Sequence, residues 1–254
     1  MPIKINYHNH ANNSGFGNKL FLNFFARALS IQNDEPLCNW LDTNIYPKKQ
    51  DYYNDVRGVE IDRWNLLWPY TDNNAGDMII VGKETNIGQI YGNHYHQNCR
   101  VISLLSEHKH SIIKNFGEED GLFVHVRLGD LVSEARKWPN RSCGYEYYRN
   151  CISKVQCEKR YLSSDTLNHP FIQDLISEFD LEFYEGAPEE TIIFGSRFKN
   201  KILSLGTFSW WIGFVGSQNN VICPNPSDYR GWHGRIFECM QDWNMVSKPY
   251  EKNN

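Results

Sequence analysis

The chain has 254 residues, enough for one large or two small domains, and 41% hydrophobic residues indicate a packed core rather than a disordered protein. A net charge of −4 and a pI of about 6.1 argue against a general binder of nucleic acid, but allow a local basic pocket for one phosphate-bearing ligand. With no apolar signal core and no apolar run of membrane-spanning length, we expect a cytoplasmic protein. Seven cysteines at irregular spacings are typical of free thiols in a reducing compartment.

The chain begins with a predicted strand, a glycine-rich bend and a predicted helix. Residues 2–7 predict the strand, and residues 18–30 predict a helix that is buried on most of its circumference. In the bend, Gly15 and Gly17 allow positive φ, and the helix amides that begin near Asn18 are available to an anion or a hydroxyl. Most such bends only turn the chain, so both interpretations stay open here.

The pattern of the chain changes after its first part. Residues 34–92 are irregular, with one convincing strand at 78–82, and indicate a loop-rich recognition surface. The later elements alternate, with helices at 101–116, 144–157, 168–179, 188–200 and 207–216 and strands at 121–127, 159–164, 181–185, 201–204 and 219–224. Alternation predicts an α/β domain with a covered parallel sheet and ligands at the carboxyl ends of its strands. A domain boundary is predicted near 115–121, between residues 1–118 and 119–254.

The first of these strand ends is His125-Val-Arg-Leu-Gly-Asp130. His125 and Arg127 face the same side of the strand because side chains alternate. The planar fork of an arginine at this position can grip phosphate oxygens. A strand-end ion pair between Arg127 and Asp130 explains the same residues equally well.

The second strand end is Ser163-Ser164-Asp165. A carboxylate can accept two parallel hydrogen bonds from a donor pair such as the N1 and N2 groups of guanine, and Ser164 adds a hydroxyl. Asp165 could instead be the N-cap of the helix that follows, which is the commoner use of such a residue.

The third strand end is Ser204-Leu-Gly206-Thr207-Phe-Ser-Trp-Trp211. A Gly-Thr pair that opens a helix presents free amides and a hydroxyl to a phosphate. The paired tryptophans offer an apolar wall or a sugar-stacking face, although such pairs more often belong to a core.

No motif for a bound metal is evident. The chain has no Asp-x-Asp pair of the kind that chelates a metal on a nucleotide-sugar diphosphate, and the spacing of His94, His96 and Cys99 matches no standard site. Signatures of serine hydrolases, phosphate-loop nucleotidases and zinc ribbons are also missing.

Four motifs in chain order resemble those of the α-1,2-fucosyltransferase family. They are Gly15-Phe-Gly-Asn-Lys-Leu-Phe21 with "FFARAL" behind it, His125-Val-Arg-Leu-Gly-Asp130, Ser163-Ser-Asp165, and Thr207-Phe-Ser-Trp-Trp211 before "NNVICPNPSDYRGW". The family carries a "GxGNQxFQYxFARAL" opening, "HxRRGD" and "SDD" strand ends, and an "NSTFSWW" helix start. The similarity runs from residue 15 to about residue 243.

This resemblance implies a GT-B-like α/β fold, with two Rossmann-like domains facing across a cleft and the N-terminal one loop-rich. It implies inverting, metal-independent transfer of L-fucose from GDP-fucose to a hydroxyl of a glycan acceptor, with an α-1,2 linkage favoured and no cofactor. Residues 1–118 would form the acceptor side, and residues 119–254 would bind the nucleotide sugar.

The resemblance also implies roles for single residues. Arg127 would pair with the GDP phosphates and stabilise the departing charge. His125 and Asp130 would act as a general base or orient Arg127. Donor contacts are implied for Thr207 and Phe208 at the phosphates with Ser209 beside them, for Ser164 and Asp165 near the guanine or ribose, and for Gly15, Gly17 and Asn18 at the N-terminal lip of the cleft.

The chain departs from the family motifs at several positions. Leu128 replaces a second arginine, so phosphate binding would be weaker or shared with another cation such as Arg197 or Lys199. Leu205 and Gly206 replace an Asn-Ser pair. Two alternatives therefore stay open: the same scaffold with another nucleotide sugar, and a non-catalytic glycan-binding module on a decayed transferase fold. The aromatic residues available to such a module as sugar platforms are Trp40, Trp64, Trp68 and Tyr70.

Overall fold

The computed structural model describes most of the second half of the chain and shorter parts of the first. The described residues are 3–6, 16–33, 37–38, 45, 59–62, 80–81, 99–129, 142–229 and 235–248. The chain divides into two compact units, Met1–Lys114 and Asn115–Asn254. The assignment of acceptor and donor roles to residues 1–118 and 119–254 stays a prediction.

The first unit contains a small sheet and two helices among its described residues. These elements are β1 (Ile3–Asn6), α1 (Phe16–Asn33), β2 (Leu37–Cys38), β3 (Val59–Asp62), β4 (Ile80–Val81) and α2 (Cys99–Ile112). The strand order is β2-β1-β3-β4, with β4 antiparallel to β3 and the other pairs parallel. The strands predicted at 2–7 and 78–82 and the helices predicted at 18–30 and 101–116 are confirmed. β2 and β3 were not predicted, because so short a strand in a polar stretch shows no clear alternation.

Helix α1 is held in place by apolar residues that recur every three to four positions and form one face of the helix. Five of its side chains are at most 1% exposed: Leu20, Phe21, Phe24, Phe25 and Ala28. This face packs against α2 and β1, as expected for a helix buried on most of its circumference. In the described part of the chain, neither α1 nor any other helix combines the length and apolarity needed to cross a membrane.

The second unit is built around a parallel sheet of six strands. Its described elements are β5 (Glu119–Val126), α3 (Tyr145–Ile152), β6 (Arg160–Ser164), α4 (Pro170–Phe179), β7 (Glu182–Phe183), α5 (Pro188–Ser196), β8 (Phe198–Ile202), α6 (Thr207–Val215), β9 (Asn220–Pro224), two 3-10 turns (Pro226–Asp228 and Arg235–Cys239) and β10 (Asn244–Val246). The alternating α/β pattern predicted from the sequence is confirmed. The three-residue strand β10 was not predicted.

The strand order of this sheet is β10-β9-β8-β5-β6-β7. From β5 the chain adds β6 and β7 on one side, and it then crosses to place β8 on the other side of β5. The carboxyl ends of β5 and β8 therefore flank the point at which the order reverses, where open parallel sheets bind ligands. β5 is central and buried on both faces, with Leu122, Phe123 and Val124 fully buried.

The prediction was least accurate around β8. The helix predicted at 188–200 runs past the observed end of α5, and β8 begins three residues before the strand predicted at 201–204. The start of this strand was not predicted from the hydrophobic pattern, because it contains three consecutive polar residues, Lys199, Asn200 and Lys201. Lys201 is nevertheless fully buried, and its Nζ donates to two backbone carbonyl groups.

The described cysteines are mostly free thiols. Cys143, Cys151, Cys157 and Cys223 are free, and burial raises the pKa of Cys143 to about 11 and that of Cys151 to about 12. Cys239 is in a disulfide, so the expectation of free thiols is wrong for this residue. Spacing along the chain cannot reveal which cysteines approach in space.

Candidate active site

Three chain segments meet at the carboxyl edge of the six-stranded sheet. They lie at or just after the ends of β5, β6 and β8, at residues 125–129, 163–166 and 204–209. Side chains join them in pairs: Asp165 bonds to the segment after β5, and His125 and Arg127 reach the segment after β8. The structure thus brings together the three strand ends that the sequence singles out.

Arg127 follows the last residue of β5 and reaches the start of α6. Its Nη1 atom lies 2.5 Å from the position that a Cβ would take on Gly206, so the guanidinium packs against the bare Cα of that glycine. Gly206 has φ 107° and ψ 166°, which side chains rarely permit. The glycine that departs from the family motif is therefore required by its own backbone conformation, and its missing side chain leaves room for the arginine.

Helix α6 begins directly after this glycine. Thr207 and Phe208 are half-buried in its first turn, at the end of the helix where the helix dipole favours an anion. Trp210 and Trp211 have no exposed surface, and Trp210 stacks on Phe214 with ring centroids 4.4 Å apart. The tryptophan pair belongs to the core, so the interpretation of it as a sugar-stacking face is wrong.

Asp165 joins the end of β6 to the loop after β5. Its Oδ1 accepts hydrogen bonds from the amides of Leu128 at 2.9 Å and Gly129 at 3.1 Å. A Cβ on Gly129 would lie 2.5 Å from Oδ2, so this close approach needs a glycine. The alternative role of Asp165 as N-cap of α4 is wrong, because His169 caps that helix with its Nδ1.

His125 lies within the sheet beside α6. It is 6% exposed, its Nδ1 is 2.5 Å from Oγ of Ser209, and its ring centroid is 5.1 Å from that of Phe208. Burial is the main cause that lowers the pKa of His125 to about 4; the Asp165 carboxylate opposes this shift, and Arg127 adds a smaller lowering effect. The imidazole is therefore neutral near pH 7 and a weak proton acceptor.

The remaining predicted site residues are less completely described. Ser164 is half-buried, and its hydroxyl accepts a hydrogen bond from the amide two residues later. Gly17 is buried in α1, which also contains Asn18. Gly15, Asp130 and the side chain of Asn18 lie outside the described residues, so their assignments stay predictions.

The hypothesis that Arg197 or Lys199 shares the phosphates is wrong. Both side chains form ion pairs with acidic residues at the start of β5. That is the amino edge of the sheet, roughly 25 Å from Arg127 by the rise of an eight-residue strand. Leu128, which stands where the family has a second arginine, is 3% exposed and packs into the core.

The reason why glycines stand at these strand ends was not predicted from the sequence. Gly129 and Gly206 give room to Asp165 and Arg127 from other segments, and each lies one or two residues from a motif side chain. A glycine just after a predicted buried strand can indicate that a side chain from another segment approaches the backbone there. The sequence does not reveal which side chain it is.

A six-stranded parallel sheet whose strand order reverses between β5 and β8 is consistent with a Rossmann-like α/β domain. The family model for glycosyl transferase family 11 matches residues 87–235, more than half of the chain. The chain belongs to glycosyl transferase family 11. Neither the curated proteins nor the solved structures contain a match. The glycine-rich opening at residues 15–21 lies before the matched residues.

Proposed function

We propose that the protein is an inverting fucosyltransferase that moves L-fucose from GDP-fucose to a hydroxyl of a glycan acceptor, with an α-1,2 linkage favoured and no metal cofactor. Family membership supports sugar transfer, and the motif resemblance supports fucose. The single observation that carries the proposal is the guanidinium of Arg127 against Gly206 at the start of α6. This arrangement suits the diphosphate of a nucleotide sugar.

The electrostatics at this edge favour a diphosphate leaving group. When the bond from sugar to phosphate breaks, negative charge grows on the β-phosphate oxygens. Arg127 and the first amides of α6 are donors held in place before that charge appears, so they stabilise the transition state more than the ground state. With Leu128 buried, Arg127 is the cation on the β5 loop that we assign to the phosphates.

Asp165 is the group we assign to the nucleoside. It is exposed at the end of β6, and its Oδ1 is engaged by two backbone amides. These bonds fix the plane of the carboxylate and leave its Oδ2 to accept further hydrogen bonds from a guanine N1 and N2 pair. Uracil and cytosine lack that donor pair, so this assignment predicts a preference for guanine nucleotides.

Inversion requires that the acceptor hydroxyl lose its proton as it attacks. His125 is a weak candidate for the base, since burial lowers its pKa to about 4. Asp130 stays a candidate for the base. The other route is substrate-assisted: the acceptor hydroxyl loses its proton to the substrate, late in a transition state that resembles an oxocarbenium ion.

The first experiment is a calorimetric titration of the purified protein with GDP, UDP, CDP and ADP, with and without magnesium. We expect selective GDP binding that magnesium does not change. Arg127→Ala should lower GDP-fucose turnover by at least about 100-fold while the protein stays folded. Hydrolysis of GDP-fucose to GDP and fucose measures turnover before the acceptor is known.

The matched control is Arg197→Ala, because Arg197 is an ion-paired arginine at the opposite edge of the same sheet. It should leave GDP affinity unchanged. Full turnover by a folded Arg127→Ala protein would refute the proposal. Oligosaccharide binding with no nucleotide preference would favour the glycan-binding module instead.

A second candidate is the same scaffold with another nucleotide sugar. The observation that favours it is the buried Leu128 in place of the family's second arginine. Selective binding of a nucleotide other than GDP in the same titration would select this candidate and keep the transferase class.

A further inference from the structure

Ser209 is a fully buried residue in the first turn of α6, behind the candidate site. Its hydroxyl oxygen accepts a hydrogen bond from the amide of Ser204 at 3.1 Å. The same oxygen lies 2.5 Å from Nδ1 of His125. Within the described part of the chain, these are the two hydrogen bonds of this hydroxyl.

The position of the protons follows from this pair of bonds. The amide of Ser204 is only a donor, so the hydroxyl of Ser209 accepts there and keeps its own proton for another partner. Among the described residues, Nδ1 of His125 is the one acceptor in its reach. If Nδ1 carried a proton, a fully buried hydroxyl would be left without an acceptor, which is costly. The lone pair of Nδ1 must therefore face Ser209.

The ring of His125 is neutral near pH 7. Two charged groups act on its ring electrostatically, the carboxylate of Asp165 and the guanidinium of Arg127, and the uncharged ring of Phe208 packs beside it. Burial disfavours the imidazolium most strongly, while Asp165 favours it and Arg127 disfavours it more weakly, so the pKa falls to about 4. A neutral imidazole with its lone pair on Nδ1 carries its proton on Nε2.

We infer that Ser209 is a positioning residue that holds His125 in the neutral Nε2–H tautomer, so that the ring offers a hydrogen-bond donor to an acceptor atom of the bound nucleotide. The tautomer depends only on residues of this chain. The contact with the nucleotide rests on the proposed function. It follows that His125 is not the general base, because the ring has no lone pair left for a substrate hydroxyl.

The tautomer is tested first in the ligand-free, full-length protein. Long-range ¹H–¹⁵N correlation spectra of ¹⁵N-labelled protein distinguish a protonated from an unprotonated ring nitrogen, and the signals of His125 are those lost in His125→Gln. We expect unprotonated Nδ1 and protonated Nε2, unchanged from pH 5.5 to 8. A proton on Nδ1, or a ring that titrates within this range, would overturn the inference.

Substitutions then test whether Ser209 causes this state. Ser209→Ala should give a mixture of tautomers and weaken GDP binding roughly tenfold, the effect of one lost hydrogen bond. Ser209→Thr keeps the hydroxyl and should keep the wild-type tautomer. The matched control is Ser196→Ala, since Ser196 is also fully buried and bonds the carbonyl of Ile193 at the end of α5. It should lose similar thermal stability but leave the spectrum of His125 and GDP affinity unchanged.

The outcomes separate this inference from the proposed function. An unchanged tautomer in Ser209→Ala would overturn the role of Ser209, whatever the ligand. An Nε2–H tautomer in a protein that binds no GDP would sustain the inference about Ser209 and refute the donor assignment. If Ser209→Ala does not fold, the wild-type and Ser209→Thr spectra still decide the tautomer.

Discussion

At the scale of single residues, Gly206 has a backbone conformation that favours glycine, and it also leaves room for the guanidinium of Arg127. Alanine at this position would be strained, at about 1–3 kcal/mol, because φ is 107°. Its Cβ would also displace the guanidinium of Arg127, whose Nη1 lies 2.5 Å from that position. We expect Gly206→Ala to lower GDP-fucose turnover roughly 100-fold, more than its loss of stability explains. Turnover and the free energy of unfolding are measured on the same preparation.

Gly117 is the matched control for backbone strain. It also has positive φ, at 79°, but a Cβ there would meet no atom within 4 Å. Gly117→Ala should therefore lose stability and keep its turnover. Equal losses of turnover in the two variants would show that displacement of Arg127 is not the cause.

The buried His125 makes stability depend on pH. Its pKa is near 4 in the folded protein, against 6.5 for the ordinary side chain. The unfolded chain therefore binds the extra proton between pH 6.5 and 4, and folding loses up to about 3 kcal/mol as the pH falls through that window. The loss should be smaller in His125→Gln, which cannot titrate. Urea unfolding at pH 7, 5.5 and 4.5 measures the difference, and parallel pH dependence in the two proteins would refute this origin.

At the scale of elements, α5 and α6 depend on one close approach of backbone to backbone. A Cβ on Gly216, which follows α6, would overlap the carbonyl group of Ser196 at the end of α5. Backbone cannot move aside as a flexible side chain can, so Gly216→Ala should destabilise the fold by about 3 kcal/mol or more. Urea unfolding tests this, and an unchanged midpoint would mean that the two segments do not approach this closely.

At the scale of the whole molecule, ligand binding should protect one edge of one sheet. Hydrogen exchange read by mass spectrometry, with and without saturating GDP, should show slower exchange in residues 125–129, 163–166 and 204–209. Residues 118–120 and 197–199, at the amino edge, should exchange at unchanged rates. The reason is that GDP orders only the groups it contacts directly. Protection confined to the amino edge would place the ligand elsewhere.

The sequence by itself determined the class of the second unit. Buried parallel strands read as apolar runs and amphipathic helices recur with their own period, because both patterns follow from local geometry and burial. The motifs at 125–130, 163–165 and 207–211 then indicated which strand ends to compare. The hydrophobic pattern did not predict β8 correctly, because a polar residue is buried in this strand. Lys201 can be buried since its ammonium group donates hydrogen bonds to backbone carbonyl groups.

Only the tertiary structure decided which side chains meet. His125 and Ser209 are 84 residues apart in the chain, and Asp165 and Leu128 are 37 apart, yet each pair is hydrogen-bonded. Local periodicity carries no information about such distances, which depend on the order of strands in the sheet. That order brought Arg127 against Gly206, and the direction of β8 placed Arg197 and Lys199, at its start, on the opposite edge of the sheet.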